Sequence, residues 1–455
     1  MHAPPLQIKK TKPKGNNKMS KHLVVMSIDA FVFEDIEYAK TLPNFAKVLN
    51  CASVIERVKT IYPSVTHAVH ATLLTGAPAG VTGIVNNHVF KPAAPDTDTW
   101  QWYNLLSEIK CDTLLHAAKR AGLTTASSTW PVTAGVTDLI DYHIPSALNY
   151  YFDGRDHEPY AVYRELGASE EMIEILEGAV ALYGHRDRHP EYDSFQTYCA
   201  CEIIKKYKPN LLLTHPGDVD HVRHEVGVFG DEVKESIKRT DGWLGQILAA
   251  LEEAGIADET DIVLLSDHGQ INITRVISPN VYLVDNGYIK LDSDGHVKEW
   301  DAYVQSAGAS AHVYLSRPDD KELYDGVYKL LSDMANEGIY GFERVYTEDE
   351  LKAEFGLSGD FSFVLEGDGY TGFGEKLVRP AVRGWDLSDY RESSGTHGHD
   401  PRKGPQPTFI ASGPSFREGV IIERGDILNH APTLAAVLGV ELRDSVGTAV
   451  KEILK

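Results

Sequence analysis

Five segments of the chain carry side chains whose types and spacing could do chemistry. In one, the apolar run Ile262 to Leu265 ends in Ser266-Asp267-His268-Gly269. An adjacent carboxylate and imidazole reach a single divalent ion if the backbone turns, and Gly269 permits that turn. The plainer reading is a strand-end turn with solvated polar residues. In another, Asp220 and His224 stand four apart in Asp220-His221-Val222-Arg223-His224. That spacing sets both on one face of a helical turn and suits zinc or manganese. An ordinary surface Asp–His pair is the competing reading, and Asp218 and His221 are neighbouring candidates. His397, between glycines in Gly395-Thr396-His397-Gly398-His399, is a further ligand candidate with His399 as its rival. Asp29 directly follows the apolar run Leu23 to Ile28, where a carboxylate serves as a cap or a ligand. Finally, Pro63 breaks regular structure and the stretch Thr66 to Thr75 reads as a helix. Thr66 then sits at an N-terminus whose free N–H groups attract an anion. Its hydroxyl is either a nucleophile activated by a metal or simply an N-cap.

The elements that must position these residues are short apolar runs alternating with amphipathic segments. Leu23–Ile28, Leu211–Leu213, Ile262–Leu265 and Thr408–Ala411 read as buried strands. Asp112–Ala121, Glu170–Leu182, Asp231–Ala254 and His430–Leu438 read as helices. This alternation predicts an α/β fold: a doubly wound, mostly parallel sheet with helices on both faces. Asp29, Asp220 and Asp267-His268 all fall just past strands, and ligands of open α/β sheets bind beyond the carboxyl ends. Residues 22–274 and 386–455 are read as the core. Residues 275–385, with strands near Ala311–Leu315 and Phe361–Leu365 and a helix near Lys321–Asn336, are read as a small α+β cap insertion. The glycine-rich run from Gly369 to Gly374 lacks a dinucleotide pattern and reads as a loop.

Composition narrows the partners. Forty-four basic against 66 acidic side chains leave a net charge of -22, which opposes nucleic-acid binding. An anionic small molecule remains acceptable if metal cations supply local positive charge. Residues 1–21 hold six lysines and no acid and read as a disordered basic leader without the apolar core of a secretory signal. No run is long and apolar enough to span a bilayer, so no membrane partner is expected. Four cysteines are too few for a disulfide framework. These features predict a cytoplasmic protein.

Taken in order, the five segments resemble the nucleotide pyrophosphatase/phosphodiesterase family of the alkaline phosphatase superfamily. The resemblance runs from about Leu23 to the C-terminus, including the Ala-Pro-Thr of Asp426–Leu438, and is poor over 275–385. It implies an alkaline phosphatase-like core with two divalent metal ions, zinc or else manganese. Asp220, His224 and His397 would hold one ion, and Asp29, Asp267 and His268 the other, with Thr66 bridging to it. Thr66 would be the catalytic nucleophile. Asn87, in Gly83-Ile84-Val85-Asn86-Asn87, stands where the family has an asparagine bonded to a phosphoryl oxygen, with Asn86 as the fallback. His70 would be structural, and Trp130-Pro131 would lie near the pocket. The implied activity is hydrolysis of a small-molecule phosphate ester, at phosphodiester or nucleotide pyrophosphate bonds, through a phosphothreonine. The chain departs from the family at His67, Ala68 and Thr82, where an aromatic, a proline and a histidine are usual. These departures leave open a phosphomonoesterase or phosphonate hydrolase on the same scaffold, and a non-enzymatic phosphoryl-binding protein as the third alternative. The threonine at the nucleophile position argues against a sulfatase, which needs Cys or Ser there.

Overall fold

Strand β1 (His22–Ser27) is apolar almost throughout because both its faces are covered. Leu23 and Val25 enter one core layer, while Val24 and Met26 enter the other, as the period of two requires. Each large apolar side chain so buried contributes about 1.5–3 kcal/mol relative to exposure. The computed structural model describes residues 21–92, 101–146, 160–184 and 188–455. All but the last residue of the expected basic leader lie outside the described residues.

Around β1 the sheet comprises β2 (Ser53–Lys59), β3 (Thr125–Ser128), β4 (Tyr142–Ile144), β5 (Leu211–Thr214), β6 (Thr260–Leu265), β7 (Phe409–Ser412) and β8 (Ile421–Asp426). The spatial order is β8-β2-β7-β6-β1-β5-β3-β4. All neighbours are parallel except β7, which runs antiparallel to both β2 and β6. The fold is thus α/β, with a large, mostly parallel sheet and helices on both faces. The helices Glu170–Tyr183, Glu191–Tyr207 and Asp231–Ala254 pack in one layer, and Thr66–Thr75, Leu114–Arg120 and His430–Leu438 in the other. Among the described residues no helix is long and apolar enough to cross a membrane.

Register matters for function. Ser27 pairs with Leu265 across β1 and β6, so Asp29 and Asp267 each emerge two residues past matched positions. Met26 pairs with Thr214 across β1 and β5, so the segment after Thr214 starts at the same rim.

A second core lies under a four-stranded antiparallel sheet. Its strands are Ala302–Ser306, Ser310–Leu315, Phe342–Thr347 and Phe363–Gly367, and the helix Lys321–Glu337 covers it. The Gly369–Gly374 run is not simply a loop: Thr371–Phe373 forms a strand parallel to Arg275–Ile277. Its backbone groups find partners that its composition does not announce.

The helix Asp218–Val226 carries Asp220 and His224 and is anchored by one buried ion pair. Arg223 is 0% exposed and its Nη2 lies 2.5 Å from Asp35 Oδ2, while its Nη1 donates to Val228 O. Burial pushes the Asp35 carboxyl up and the Arg223 guanidinium opposes that shift. Removing the cation strands a buried carboxylate. Arg223→Ala is therefore expected to cost roughly 3–5 kcal/mol, read as a lowered urea midpoint, and to loosen the turn that presents Asp220 and His224.

Candidate metal centre and active site

Thr66 opens a ten-residue helix, Thr66–Thr75, that is buried along its whole length. The N-cap position is Val65, and the Thr66 side chain makes no capping bond. Its hydroxyl instead lies 3.1 Å from His268 Nε2, so the plain N-cap reading does not hold. The later threonines of this helix are satisfied: Thr72 and Thr75 donate to Ala77 O and Ala71 O at 2.8 Å each. His70 contacts Thr66 O at 2.8 Å and Ser27 Oγ at 3.0 Å, both its ring nitrogens being spent inside the protein.

The sequence candidates converge at the carboxyl ends of β1, β5 and β6. His268 Nε2 lies 3.5 Å from Asp29 Oδ1 and 3.3 Å from Asp267 Oδ2. His224 Nε2 lies 3.1 Å from Asp220 Oδ2. The His397 ring is 5.2 Å from that of His224 and 4.3 Å from that of His268. Donor atoms of Asp29, Asp267 and His268 all fall within 4.8 Å of one another, as do those of Asp220, His268 and His397. The two groups share His268 and form one continuous centre, so this arrangement groups His268 with His397 and Asp220 as well as with the Asp29 set. The competing candidates fall outside both ligand groups, although His221 lines the same cavity. Asp218 accepts from Arg239 Nε at 2.8 Å, and His221 faces Glu225 at 3.5 Å. His399 does not line the cavity that His397 lines.

A second layer aims these groups. His224 Nδ1 donates to Gly395 O at 2.8 Å, which leaves Nε2 facing Asp220. Asp267 Oδ1 accepts from Ala30 N at 3.2 Å and His268 N at 2.9 Å. Burial raises Asp29 well above the usual carboxylate range, and the charges of Asp220 and Asp267 add to that rise. Burial also opposes the charge of Asp220, but His224 and His397 beside it hold it well below its ordinary value. Three carboxylates gathered in so little space repel one another unless positive charge joins them.

The centre forms one wall of a cavity of about 510 Å³. Asn87 lines it; its Oδ1 accepts the His67 backbone N–H at 2.8 Å and its Nδ2 donates to Tyr390 Oη at 3.2 Å. Asn86 turns away, donating to Ser306 O at 3.1 Å. His67 also lines the cavity, its ring 4.9 Å from Trp102. Burial, aided by His215, lowers His67 to about 3, so the ring is neutral at ordinary pH. Pro131 reaches the cavity while Trp130 packs edge-on against His70, 4.9 Å between rings.

The model of the type I phosphodiesterase / nucleotide pyrophosphatase family matches residues 23–400. The chain belongs to this family. It is similar to the venom phosphodiesterase of Naja atra, 22% identical over 409 residues that cover 87% of this chain and 41% of that protein. It is also similar to human ectonucleotide pyrophosphatase/phosphodiesterase family member 5, 22% identical over 428 residues, 92% of this chain and 74% of that one. The chain therefore spans less than half the length of the venom relative. Among solved structures, murine ectonucleotide pyrophosphatase/phosphodiesterase 5, an inactive form in complex with AMP, superposes with a TM-score of 0.66 at 19% identity. That match covers 96% of this chain and 100% of the murine one. The fold is shared with this phosphodiesterase family member.

For this type I phosphodiesterase family chain, four residues of the centre escaped the sequence reading. His215 donates to Ser27 O at 3.1 Å and turns Nε2 to Asp29 Oδ2 at 3.2 Å. It directly follows β5, so the strand-end rule could have found it. Gln270 follows the Asp-His-Gly and donates to Asp220 O at 3.1 Å. Trp102 and Tyr390 carry no sequence signal; only the folded loops bring them in. Two glycines turn out to be required by space. A Cβ at Gly269 would lie 2.1 Å from Pro405 O, so close approach, not a left-handed turn, excludes other residues there. Gly398 has φ +90° and its Cβ would lie 1.8 Å from Ala307 O. Gly398→Ala is expected to cost roughly 2 kcal/mol or more and to displace His397, read as a lowered unfolding midpoint together with reduced divalent-metal affinity by calorimetry.

Proposed function

We propose that the chain is a metal-dependent phosphodiesterase that cleaves phosphodiester or nucleotide pyrophosphate bonds of small molecules through a phosphothreonine on Thr66. The observation that carries this reading is the Thr66 hydroxyl, at a helix start, 3.1 Å from His268 within the Asp/His centre. Support also comes from family membership and from the murine relative, whose inactive form is a threonine-to-alanine variant in complex with AMP.

The residues fit two divalent cations. Asp29 Oδ1 and Asp267 Oδ2 are buried without a hydrogen-bond partner, which is costly for such groups unless something else engages them. Asp220, His224 and His397 would hold one ion. Asp29, Asp267 and His268, with Thr66, would hold the other. Oxygen and nitrogen donors of this kind suit zinc, with manganese the other candidate. Bound there, the cations would supply Lewis-acid charge that favours the ionised Thr66 hydroxyl and balances charge on the phosphoryl and departing oxygens.

The remaining work belongs to the chain. Thr66 Oγ1 attacks phosphorus as the bond to the departing oxygen breaks; the hydroxyl proton leaves with the released alcohol or nucleotide, and phosphorus stays on Thr66 as a phosphothreonine that keeps the substrate's other substituent. Water then attacks phosphorus, breaks the bond to Thr66 and restores the hydroxyl. Asn87 Nδ2 and the Thr66 backbone N–H bind equatorial oxygens, where negative charge gathers in the transition state. The buried, packed helix holds Thr66 in line and costs no reordering during the reaction.

Thr66→Ala is expected to lower turnover of bis(4-nitrophenyl) phosphate by roughly three orders of magnitude or more with bound metal, by plasma mass spectrometry, unchanged. Near wild-type activity would remove Thr66 as nucleophile. A panel of diester, monoester and phosphonate substrates checks the bond class: higher kcat/KM on a monoester or phosphonate would overturn the diester preference. Chelation is expected to abolish activity and Zn²⁺ or Mn²⁺ to restore it. Purified protein without transition metal whose activity neither ion raises would refute the metal assignment.

A further inference from the structure

We propose that the groove between β2, the edge strand β8 and the loop that continues from His397 is a binding site for a small molecule carrying two or more phosphate groups. The groove has a volume of about 530 Å³ and shares no described lining residue with the cavity at the metal centre. The charged side chains among its described lining residues are Arg57, Lys59, Arg402 and Arg424, against the acid Glu34. On a chain with a net charge of -22 this is a local reversal of sign.

The β2–β8 ladder sets these cations side by side. Arg57 pairs with Arg424, so the spacing of neighbouring strands places their Cα atoms about 5 Å apart. Lys59 stands two residues further along β2, with Val58 between them buried in the core. Like charges directly opposite one another destabilise a strand pair, and the nearby carboxylates answer this only weakly. Glu56 lies 3.9 Å from Arg57 and Glu423 lies 3.7 Å from Arg424, both beyond hydrogen-bond length. Asp426, the ladder partner of Lys59, instead accepts from Leu428 N at 3.0 Å. Arg402 is spent on Asp400 at 2.9 Å and Glu354 at 3.3 Å, so it walls the groove without adding net charge. Three cations remain against Glu34.

The fold also fixes the shape. Phe33 N donates to Gln406 O at 3.0 Å and Val58 N to Pro407 O at 2.9 Å, which ties the loop to β2. The Arg57 guanidinium stacks on the Phe33 ring, 3.6 Å from its centroid. Stacking uses the guanidinium face and leaves its in-plane N–H groups to meet phosphate oxygens in pairs. Charge on an edge strand guards against pairing with another chain. That accounts for Arg424 on β8, but not for Arg57 and Lys59 on β2, which β8 and β7 flank. One phosphate cannot span all three cations with good geometry, whereas two linked phosphates can.

The test is calorimetric titration of fructose 1,6-bisphosphate into the metal-loaded full chain carrying Thr66→Ala, a background chosen to prevent turnover of the probe. Saturable binding is expected, and it is expected to weaken as salt is raised. Fructose 6-phosphate is expected to bind about tenfold or more weakly. The combined substitutions Arg57→Gln, Lys59→Gln and Arg424→Gln are expected to lower bisphosphate affinity roughly a hundredfold. Should that variant fail to fold, Arg424→Gln alone carries the test. Its side chain is 77% exposed, and a loss of roughly fivefold is expected with the thermal midpoint unchanged. No binding to the parent chain overturns the proposal. Binding whose affinity and stoichiometry survive these substitutions overturns it too, and assigns the bisphosphate to another site such as the metal centre. Equal affinity for the two sugar phosphates overturns the requirement for a second phosphate group.

Discussion

The structure is organised around the cost of burying like charges together. Asp29, Asp220 and Asp267 converge at the cavity wall with His224, His268 and His397, Asp29 and Asp267 buried and Asp220 partly so. Ionised carboxylates removed from water lose several kcal/mol each unless they are paired or solvated by the protein. Sheet geometry forces the convergence, since matched registers carry Asp29 and Asp267 to one level at the rim. The surrounding polar contacts partly answer the cost. Backbone N–H groups of Ala30 and His268 serve Asp267, and Gln270 donates to Asp220. What they leave is Asp29 raised by burial and by its acidic neighbours, a state in which added positive charge is strongly favoured.

His397 comes from far along the chain, and several weak ties bring it in. Gly395 and Thr396 pair antiparallel with Asn272 and Ile271 just beyond the Asp-His-Gly. Gly398 N donates to Ser64 O at 2.9 Å, two residues before Thr66. Ser310 Oγ donates to Gly398 O at 2.6 Å, and Ala309 N donates to His397 O at 2.8 Å. The second sheet is therefore not only a roof. Its hairpin between Ser306 and Ser310 forms part of the floor on which the His397 loop rests.

Legibility in the sequence followed burial. β1, β5, β6 and β7 are apolar on both faces and stand out as runs, and their ends pointed to Asp29, Asp220, Asp267 and His268. β3 was invisible because Thr125–Ser128 is polar; burial suits it only because Ser128 Oγ donates to Gln196 O and Thr125 Oγ1 to Leu139 O. β8 was invisible for the opposite reason: it is an edge strand, largely exposed and charged. Thr66 was legible as a helix start, yet only the folded structure separates it from a cap. Trp102 and Tyr390 lie on loops whose path depends on contacts hundreds of residues away, and no local pattern encodes that path.

The charge balance of the cavity argues for how an acidic chain handles an anionic ligand. Among the described residues, Arg188 is the arginine that lines the cavity, and the arginines behind the centre are committed. Arg223 is paired with Asp35, Arg239 with Asp218, and Arg391 with Asp389 and Glu375. His189, in the cavity wall, is raised by Asp193 against the effect of burial, and that ion pair adds no net charge. His67, the ring beside Thr66, is neutral. With a net charge of -22 on the whole chain, the long-range field repels a phosphate ester. Attraction must then arise within the cavity, from the proposed cations, from Arg188 in its wall and from neutral donors such as Asn87. Neutral donors suit this task because they bind charge as it develops without competing with the cations for the same carboxylates.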